Sequence, residues 1–234
     1  MNRKERRRQQ KLARGGASSS TLFDEAMKDL EKGLVERAES QFLRIVEGNP
    51  KHADAHHLLG LIAYGAGRVE EAADRIVQAI QIDERNPAYH ANYGAVANLR
   101  GMPEEAEASS RYAIELKPDN GDAYNNLGAV YEKQGKIKQA GRYYQKAVQV
   151  DPDVATAYYN LSRLLFEGGK VKQAMAVLEK ALRLEPDNPV FVNQKARIEA
   201  ELEKLSNTTI VLVVGAFVGV LVVYSILVRI RERG

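Results

Sequence analysis

Apolar side chains recur three and four positions apart along most of the chain, as in Tyr124, Leu127 and Tyr131. This spacing places them on one face of an α-helix, which completes a turn about every 3.6 residues. Near the C-terminus the pattern changes, and residues 210–228 contain no charged side chain and no polar stripe. The chain is therefore predicted to be all-α, with short amphipathic helices followed by one uniformly apolar helix.

A 34-residue repeat runs through residues 19–188, and several columns of identical or similar residues define it. The first column is glycine: Gly33, Gly67, Gly101, Gly135 and Gly169. The second is alanine: Ala38, Ala72, Ala106, Ala140 and Ala174. Four repeats also share a small residue at the eighth position, alanine at the twenty-seventh and proline at the thirty-second. The predicted repeats are 19–52, 53–86, 87–120, 121–154 and 155–188.

Each column has a physical reason. Glycine at the fifteenth position permits the positive φ with which one helix ends and reverses into a second. Small residues at the eighth and twentieth positions let the two helices of a hairpin approach closely, and proline ends the second helix. A single hairpin cannot bury its own apolar face, so the repeats are expected to stack.

The spacing resembles the tetratricopeptide repeat family, as do the string from Ala123 to Gly128 and the Val150-Asp151-Pro152 ending. The resemblance covers residues 19–188 and implies a right-handed α-solenoid of five helical hairpins. In the first repeat Glu25 and Asp29 replace core residues of the family. We therefore expect a capping repeat with a polar outer face, as the end of a solenoid requires.

A capping or juxtamembrane helix is predicted for residues 189–206, after the cap sequence Asp187-Asn188-Pro189. Its Val192, the aliphatic stem of Lys195, Ile198 and Leu202 are expected to cover the end of the stack.

A single transmembrane helix is predicted for residues 207–229, followed by a short basic tail at 230–234. The uncharged run within it, residues 210–228, is long enough to cross a hydrocarbon core of about 30 Å. Its place near the C-terminus favours a tail anchor with the repeats facing the cytoplasm, at either a bacterial inner membrane or an organelle outer membrane. Gly215 and Gly219 form a small-xxx-small pair that could let two spans pack closely as a dimer.

The ends of the chain are basic and the middle is acidic. Residues 1–20 hold seven Lys or Arg against one Glu, and the residues between the two basic ends carry a net charge of −5. Residues 1–18 are expected to be a disordered basic arm and linker. No aromatic residue interrupts the cations, so specific nucleic-acid binding is not favoured.

Little in the sequence supports catalysis or cofactor binding. There is no Cys, no glycine-rich phosphate loop and no nucleophile elbow. His52 and His56 are four residues apart, but His52 falls between repeats and His56 occupies a core position, so metal binding is not expected. The sequence predicts a binding protein without cofactor or metal, not an enzyme.

The candidate binding site is the concave groove lined by the first helix of each repeat. Asn92, Asn126 and Asn160 occupy the sixth position of successive repeats, and a row of amides could hold an extended peptide. The resemblance to O-linked N-acetylglucosamine transferases implies the same role, although Asn is frequent here in the family generally. Further groove candidates are Tyr64, Asn98, Tyr159, Arg163 and Phe166. The carboxylate clamp of chaperone-binding members is absent, since the required Lys and Asn positions are not met.

Three functions remain open at this point. The first is a membrane-anchored adaptor or scaffold that binds a partner protein through the groove. The second is a tail-anchored receptor or assembly factor for precursor proteins. The third is an RNA- or ribosome-associated membrane protein that uses the basic arm, which would make binding strongly dependent on salt.

Overall fold

A computed structural model describes residues 19–207, and every regular element in that range is an α-helix. Ten helices form five consecutive hairpins: α1 (Ser19–Glu31), α2 (Val35–Gly48), α3 (Ala53–Gly65), α4 (Val69–Ile82), α5 (Pro87–Leu99), α6 (Pro103–Leu116), α7 (Gly121–Lys133), α8 (Ile137–Val150), α9 (Ala155–Glu167) and α10 (Val171–Leu184). Helix α11 follows over residues 189–207.

Each hairpin turns at the glycine that the sequence predicts. The five glycines at the fifteenth position have φ angles between 72° and 76°, and no non-glycine residue described has a positive φ. In the fourth hairpin, the amide of Gly135 donates to the carbonyl of Glu132 at 2.8 Å, and that of Lys136 donates to Tyr131 at 2.9 Å. These bonds satisfy carbonyl groups at the end of the first helix, so the predicted role of glycine is confirmed.

The two helices of a hairpin approach closely because the facing residues are small. All five alanines at the twentieth position are fully buried. A Cβ placed on Gly60 would lie 2.6 Å from Cγ1 of Ile76 on the facing helix, too close for any real contact. In the fifth hairpin the hydroxyl of Ser162 instead donates to the carbonyl of Ala174 at 2.8 Å. The predicted close approach is therefore confirmed.

The chain divides into two compact units, Met1–Asp151 and Pro152–Gly234. In the first unit, successive hairpins pack in tandem: α2 contacts α3, α4 contacts α5, and α6 contacts α7. The first helices also contact one another, since α5 touches both α3 and α7. The second unit contains the α9–α10 hairpin and α11.

The polar first repeat differs from expectation at one of its two residues. Glu25 is exposed, as predicted, but Asp29 is only 6% exposed. Asp29 lies in the last turn of α1, where its carboxylate is 3.4 Å from the guanidinium of Arg37 on α2. The carboxylate therefore faces the hairpin partner rather than the solvent, and this part of the polar-cap prediction is wrong.

Helix α11 begins as predicted but buries a different face. The side chain of Asn188 accepts from the amide of Val190 at 3.0 Å. The buried residues are Phe191, Gln194 and Ile198, spaced three and four apart. Of the predicted covering residues, Ile198 is buried and Leu202 is half-buried.

Val192 and Lys195 were also predicted to cover the end of the stack, and both are exposed. Val192 is 46% exposed and Lys195 pairs with Glu199 at 3.6 Å. Both follow the buried Phe191 and Gln194 by one position, which turns their side chains about 100° away from the interface.

No helix within residues 19–207 is both long and apolar enough to span a bilayer. The predicted span at 207–229 lies outside the described residues except for its first residue. The tail at 230–234, the glycine pair Gly215 and Gly219, and the basic arm at 1–18 also lie outside them.

Candidate functional site

In the first unit, two asparagines of the predicted row hold successive first helices together. The side-chain amide nitrogen of Asn92 on α5 lies 2.8 Å from Nε2 of His57 on α3. That of Asn126 on α7 donates to the carbonyl of Ala91 on α5 at 2.9 Å. Asn160 lies on α9 in the second unit. One N–H of each of these amides is thus engaged between repeats, which leaves the second N–H and the carbonyl oxygen as the groups a peptide could use.

The ring of His57 is suited to accept the Asn92 hydrogen bond. Burial lowers the pKa of His57 from 6.5 to about 4, against a smaller opposing effect of the Asp54 carboxylate. The imidazole is therefore neutral near pH 7, so Nε2 accepts when Nδ1 carries the proton. The same ring contacts Tyr89 at a centroid distance of 4.7 Å.

Two carboxylates lie at the second position of their first helices. Asp54 on α3 accepts from the hydroxyl of Tyr89 on α5 at 2.5 Å. Burial, followed by this hydrogen bond and the Asp54 charge, raises the pKa of Tyr89. On α7, burial and the nearby Asp151 charge raise the pKa of Asp122.

The C-terminal ends of α3 and α5 expose apolar side chains. Tyr64 is 38% exposed and Leu99 is 56% exposed, the highest value among the exposed large hydrophobic residues of the described range. Beside Leu99, Oδ1 of Asn98 is buried and has no hydrogen-bond partner among residues 19–207, while the main-chain carbonyl of Asn98 accepts from Lys133 at 2.7 Å. We call Tyr64, Asn98, Leu99 and Lys133 the helix-end row. Leu99 was missed from the sequence because an apolar residue next to a turn resembles an ordinary core position.

In the second unit, helix α11 covers two of the predicted groove residues. The ring of Tyr159 stacks on Phe191 with centroids 5.3 Å apart, and the guanidinium of Arg197 lies 5.5 Å from the Phe166 ring. Arg163 pairs with Glu167 on its own helix at 3.2 Å. Tyr159 and Phe166 are therefore contacts for the following helix of the same chain rather than open groove positions.

The two histidines considered as metal ligands have structural roles. His52 is the N-cap of α3, where its Nδ1 accepts from the amide of Ala55 at 3.3 Å. His56 is buried, and its Nε2 lies 3.0 Å from the carbonyl of Pro50. Burial lowers the pKa of His56. Within residues 19–207 no group of three or more His, Cys, Asp or Glu could hold a metal ion.

Four family models described as tetratricopeptide or TPR repeats match the chain over residues 23–90, 87–111, 104–135 and 133–198. Together they run without a gap from residue 23 to residue 198, well over half of the chain. No curated protein sequence gives a significant match.

Several solved structures share the fold. A thermophilic TPR protein of Thermus thermophilus is 18% identical, with a TM-score of 0.67 over 79% of this chain and 99% of that chain. PilF of Pseudomonas aeruginosa is 21% identical, with a TM-score of 0.63 over 80% of this chain and 86% of that chain. YrrB, described as a TPR protein with an unusual peptide-binding site, is 21% identical, with a TM-score of 0.50 over 75% and 90%. Identities this low establish the fold alone.

Proposed function

Because this chain belongs to the tetratricopeptide repeat family, we propose that it is a membrane-anchored scaffold that binds an extended segment of a partner protein. The binding surface is the helix-end row together with the asparagines of α5 and α7. The observation that carries the proposal is the exposure of Tyr64 and Leu99 at the C-terminal ends of two first helices of the first unit, α3 and α5. Exposed apolar groups suit the side chains of a peptide, and the carbonyl oxygens of Asn92 and Asn126 could accept from its main-chain amides.

Site-specific photo-crosslinking tests the surface directly. A photoreactive amino acid at position 99 of the full-length protein, expressed in its native membrane, should trap the partner. The matched control places it at position 184, because Leu184 is also exposed but lies at the end of the second helix α10. Adding Tyr64→Ala should reduce crosslinking at 99. Equal crosslinking at 99 and 184 would remove this surface from the proposal.

The number of trapped proteins separates two forms of the function. A scaffold should give one or two crosslinked species, whereas a receptor or assembly factor for precursor proteins should give many unrelated ones. YrrB is described as having a peptide-binding site, which agrees with either form.

Membrane attachment forms a separate part of the proposal, supported by the uncharged run at residues 210–228. Deleting residues 207–234 should move the protein from the membrane pellet to the supernatant in high salt. If the truncated protein stays in the pellet, the proposed membrane anchor is wrong.

Two further experiments test the topology and the dimer. Protease added to sealed membranes should digest the repeats only from the cytoplasmic side. Crosslinking within the span should fall when Gly215 and Gly219 are both changed to Leu, if the span dimerises.

A further inference from the structure

The outer face of α8 carries a row of cations. Lys138, Arg142 and Lys146 are four residues apart and all exposed. On a helix that rises about 1.5 Å per residue, they extend over roughly 12 Å on one side. No acidic residue occurs from Lys133 to Val150. We call Lys138, Arg142 and Lys146 the basic row.

The basic row is not neutralised within the described chain. No carboxylate of residues 19–207 forms an ion pair with any of its three members. Two other arginines of the first unit, in contrast, form ion pairs with the preceding repeat. Arg68 pairs with Glu39 at 2.6 Å, and Arg100 pairs with Glu70 at 2.8 Å.

A shallow depression of about 220 Å³ adjoins the row, lined by Gln139, Arg142, Tyr143 and Lys146. One wall is held in place, because the Tyr143 ring stacks on Tyr131 with centroids 5.1 Å apart and planes 3° from parallel. Tyr131 is itself fixed by a hydrogen bond from its hydroxyl to Glu107 at 2.7 Å. The depression thus presents two cations and one amide beside a preorganised aromatic ring.

The fold of the repeat does not require positive charge at the three positions of the basic row. The corresponding positions of α4 are Glu70, Asp74 and Gln78, two carboxylates and an amide. The same backbone therefore carries opposite charge two repeats earlier. Charge that varies where the fold is constant points to an interaction surface.

We propose that the basic row and its depression bind an acidic segment of a partner protein, with one carboxylate side chain seated between Arg142 and Lys146. This surface lies on a second helix and is additional to the helix-end row. The planar guanidinium of Arg142 can hold a carboxylate through two hydrogen bonds. Gln139 supplies a donor and an acceptor for the main chain of the segment.

Two other anionic partners fit less well. A single-stranded nucleic acid would use free aromatic faces for stacking, and one face of the Tyr143 ring is occupied by Tyr131. A bilayer surface would favour several apolar side chains interspersed with the cations, whereas α8 exposes one large apolar residue, Ile137, and its other neighbours beside the row include Gln145 and Gln149.

The test uses full-length protein in nonionic detergent and a fluorescent synthetic helical peptide whose glutamates repeat every four residues. Anisotropy should show saturable binding that weakens as salt rises. The variant Lys138→Glu, Arg142→Glu, Lys146→Glu should bind about tenfold or more weakly. The matched control, Arg44→Glu, Lys51→Glu, Lys117→Glu, changes the net charge equally at scattered exposed sites and should bind nearly as the wild type does.

The other possible results of this binding experiment would either overturn the proposal or require a second variant. Equal loss in the two triple variants would mean that only net charge counts, and it would overturn the proposal. Tighter binding of oligouridine or of soluble short-chain phosphatidylserine, lost in the first variant alone, would assign the surface to nucleic acid or lipid and also overturn it. If the Glu variant loses helicity by circular dichroism, the triple Gln variant replaces it, and unchanged peptide binding there would refute the proposal.

Discussion

Helices α4 and α8 have the same length and occupy the same place in their hairpins, yet their outer faces carry opposite charge. Inside the hairpin they agree, with buried alanines at two matching positions: Ala72 and Ala79 in α4, Ala140 and Ala147 in α8. Outside, Glu70 and Asp74 in α4 correspond to Lys138 and Arg142 in α8. Inward positions are constrained by close contact, while outward positions are free to vary and can serve different partners.

The two outer faces also differ in their bonding. Glu70 reaches Arg100 of the next repeat, and Glu71 pairs with Arg68 at 2.9 Å. The acidic face of α4 therefore contributes to the contacts between repeats, although exposed pairs of this kind are each worth about 1 kcal/mol or less. The basic row of α8 has no such pairs among the described residues and remains open to another molecule.

The largest expected loss of stability comes from truncating a buried side chain inside either hairpin. Tyr144 in α8 and Ile76 in α4 occupy the same repeat position and are almost completely buried. Changing either to Ala should lower the free energy of unfolding by roughly 2–5 kcal/mol, because a cavity forms in addition to the lost burial. Chemical denaturation followed by circular dichroism measures this change.

The matched control for that pair is Lys146→Ala on the exposed side of α8, which should change stability by about 0.5 kcal/mol or less. A comparable loss in Lys146→Ala would mean that the inner and outer faces of α8 do not differ as described.

Lowering the pH should destabilise the α3–α5 region before it destabilises α8. His57 has a pKa of about 4 in the folded protein and 6.5 as its ordinary value, so the unfolded chain binds more protons between these values. Stability should therefore fall as pH drops from about 6.5 to about 4, by up to roughly 3 kcal/mol. Hydrogen exchange should show α3 and α5 losing protection before α8.

Replacing His57 by Gln provides the control, since Gln can still accept from Asn92 but does not titrate. The variant should lose less stability over the same pH interval. An identical pH dependence in the two proteins would rule out His57 as the source.

Substitution of the glycine at the eighth position by alanine should affect stability differently in the third and fourth hairpins. A Cβ on Gly128 would overlap the buried Tyr144 ring, whose hydroxyl is bonded to Glu132 at 2.7 Å. On Gly94 it would meet chiefly the hydroxyl of Ser110, which can rotate aside. Gly128→Ala should therefore destabilise by about 1–3 kcal/mol and Gly94→Ala by less, measured by thermal unfolding. The reverse order would contradict the described contacts.

The smallest effect on stability should come from transferring the basic row to α4. The changes Glu70→Lys, Asp74→Arg and Gln78→Lys alter exposed side chains, at a cost of about 1 kcal/mol or less from losing the Arg100 pair. The variant should nevertheless gain weak binding of the acidic peptide. If it gains none, the aromatic wall next to α8 is needed as well as the charge.

Most of the fold could be predicted from the sequence because its constraints repeat. The glycine with positive φ and the buried alanine at the twentieth position recur in every hairpin, so each column is visible five times. The errors lie where the repetition ends. Asp29 is in the first hairpin and Val192 is in α11, and at both places the neighbour that would define the buried face is different.

The candidate site was less predictable, because the position of a residue in the repeat does not show which other residue its side chain contacts. The sequence predicts that Asn92 and Asn126 share one face, but it does not predict their hydrogen bonds to His57 and Ala91. Tyr159 was likewise assigned to the groove because its stacking partner, Phe191, lies beyond the last repeat. The basic row was visible in sequence, but its lack of ion-pair partners among the described residues required coordinates.

Helix α11 has a mechanical consequence. It continues without a turn past Glu203, the position at which every complete repeat has glycine, and it remains helical to residue 207. A pulling force applied at Asn207 would therefore run along the helix axis into the second unit. The buried side chains of Phe191 and Ile198 would bear that load. Helix α11 would thus carry tension from residue 207 to the α9–α10 hairpin, which its Phe191 contacts.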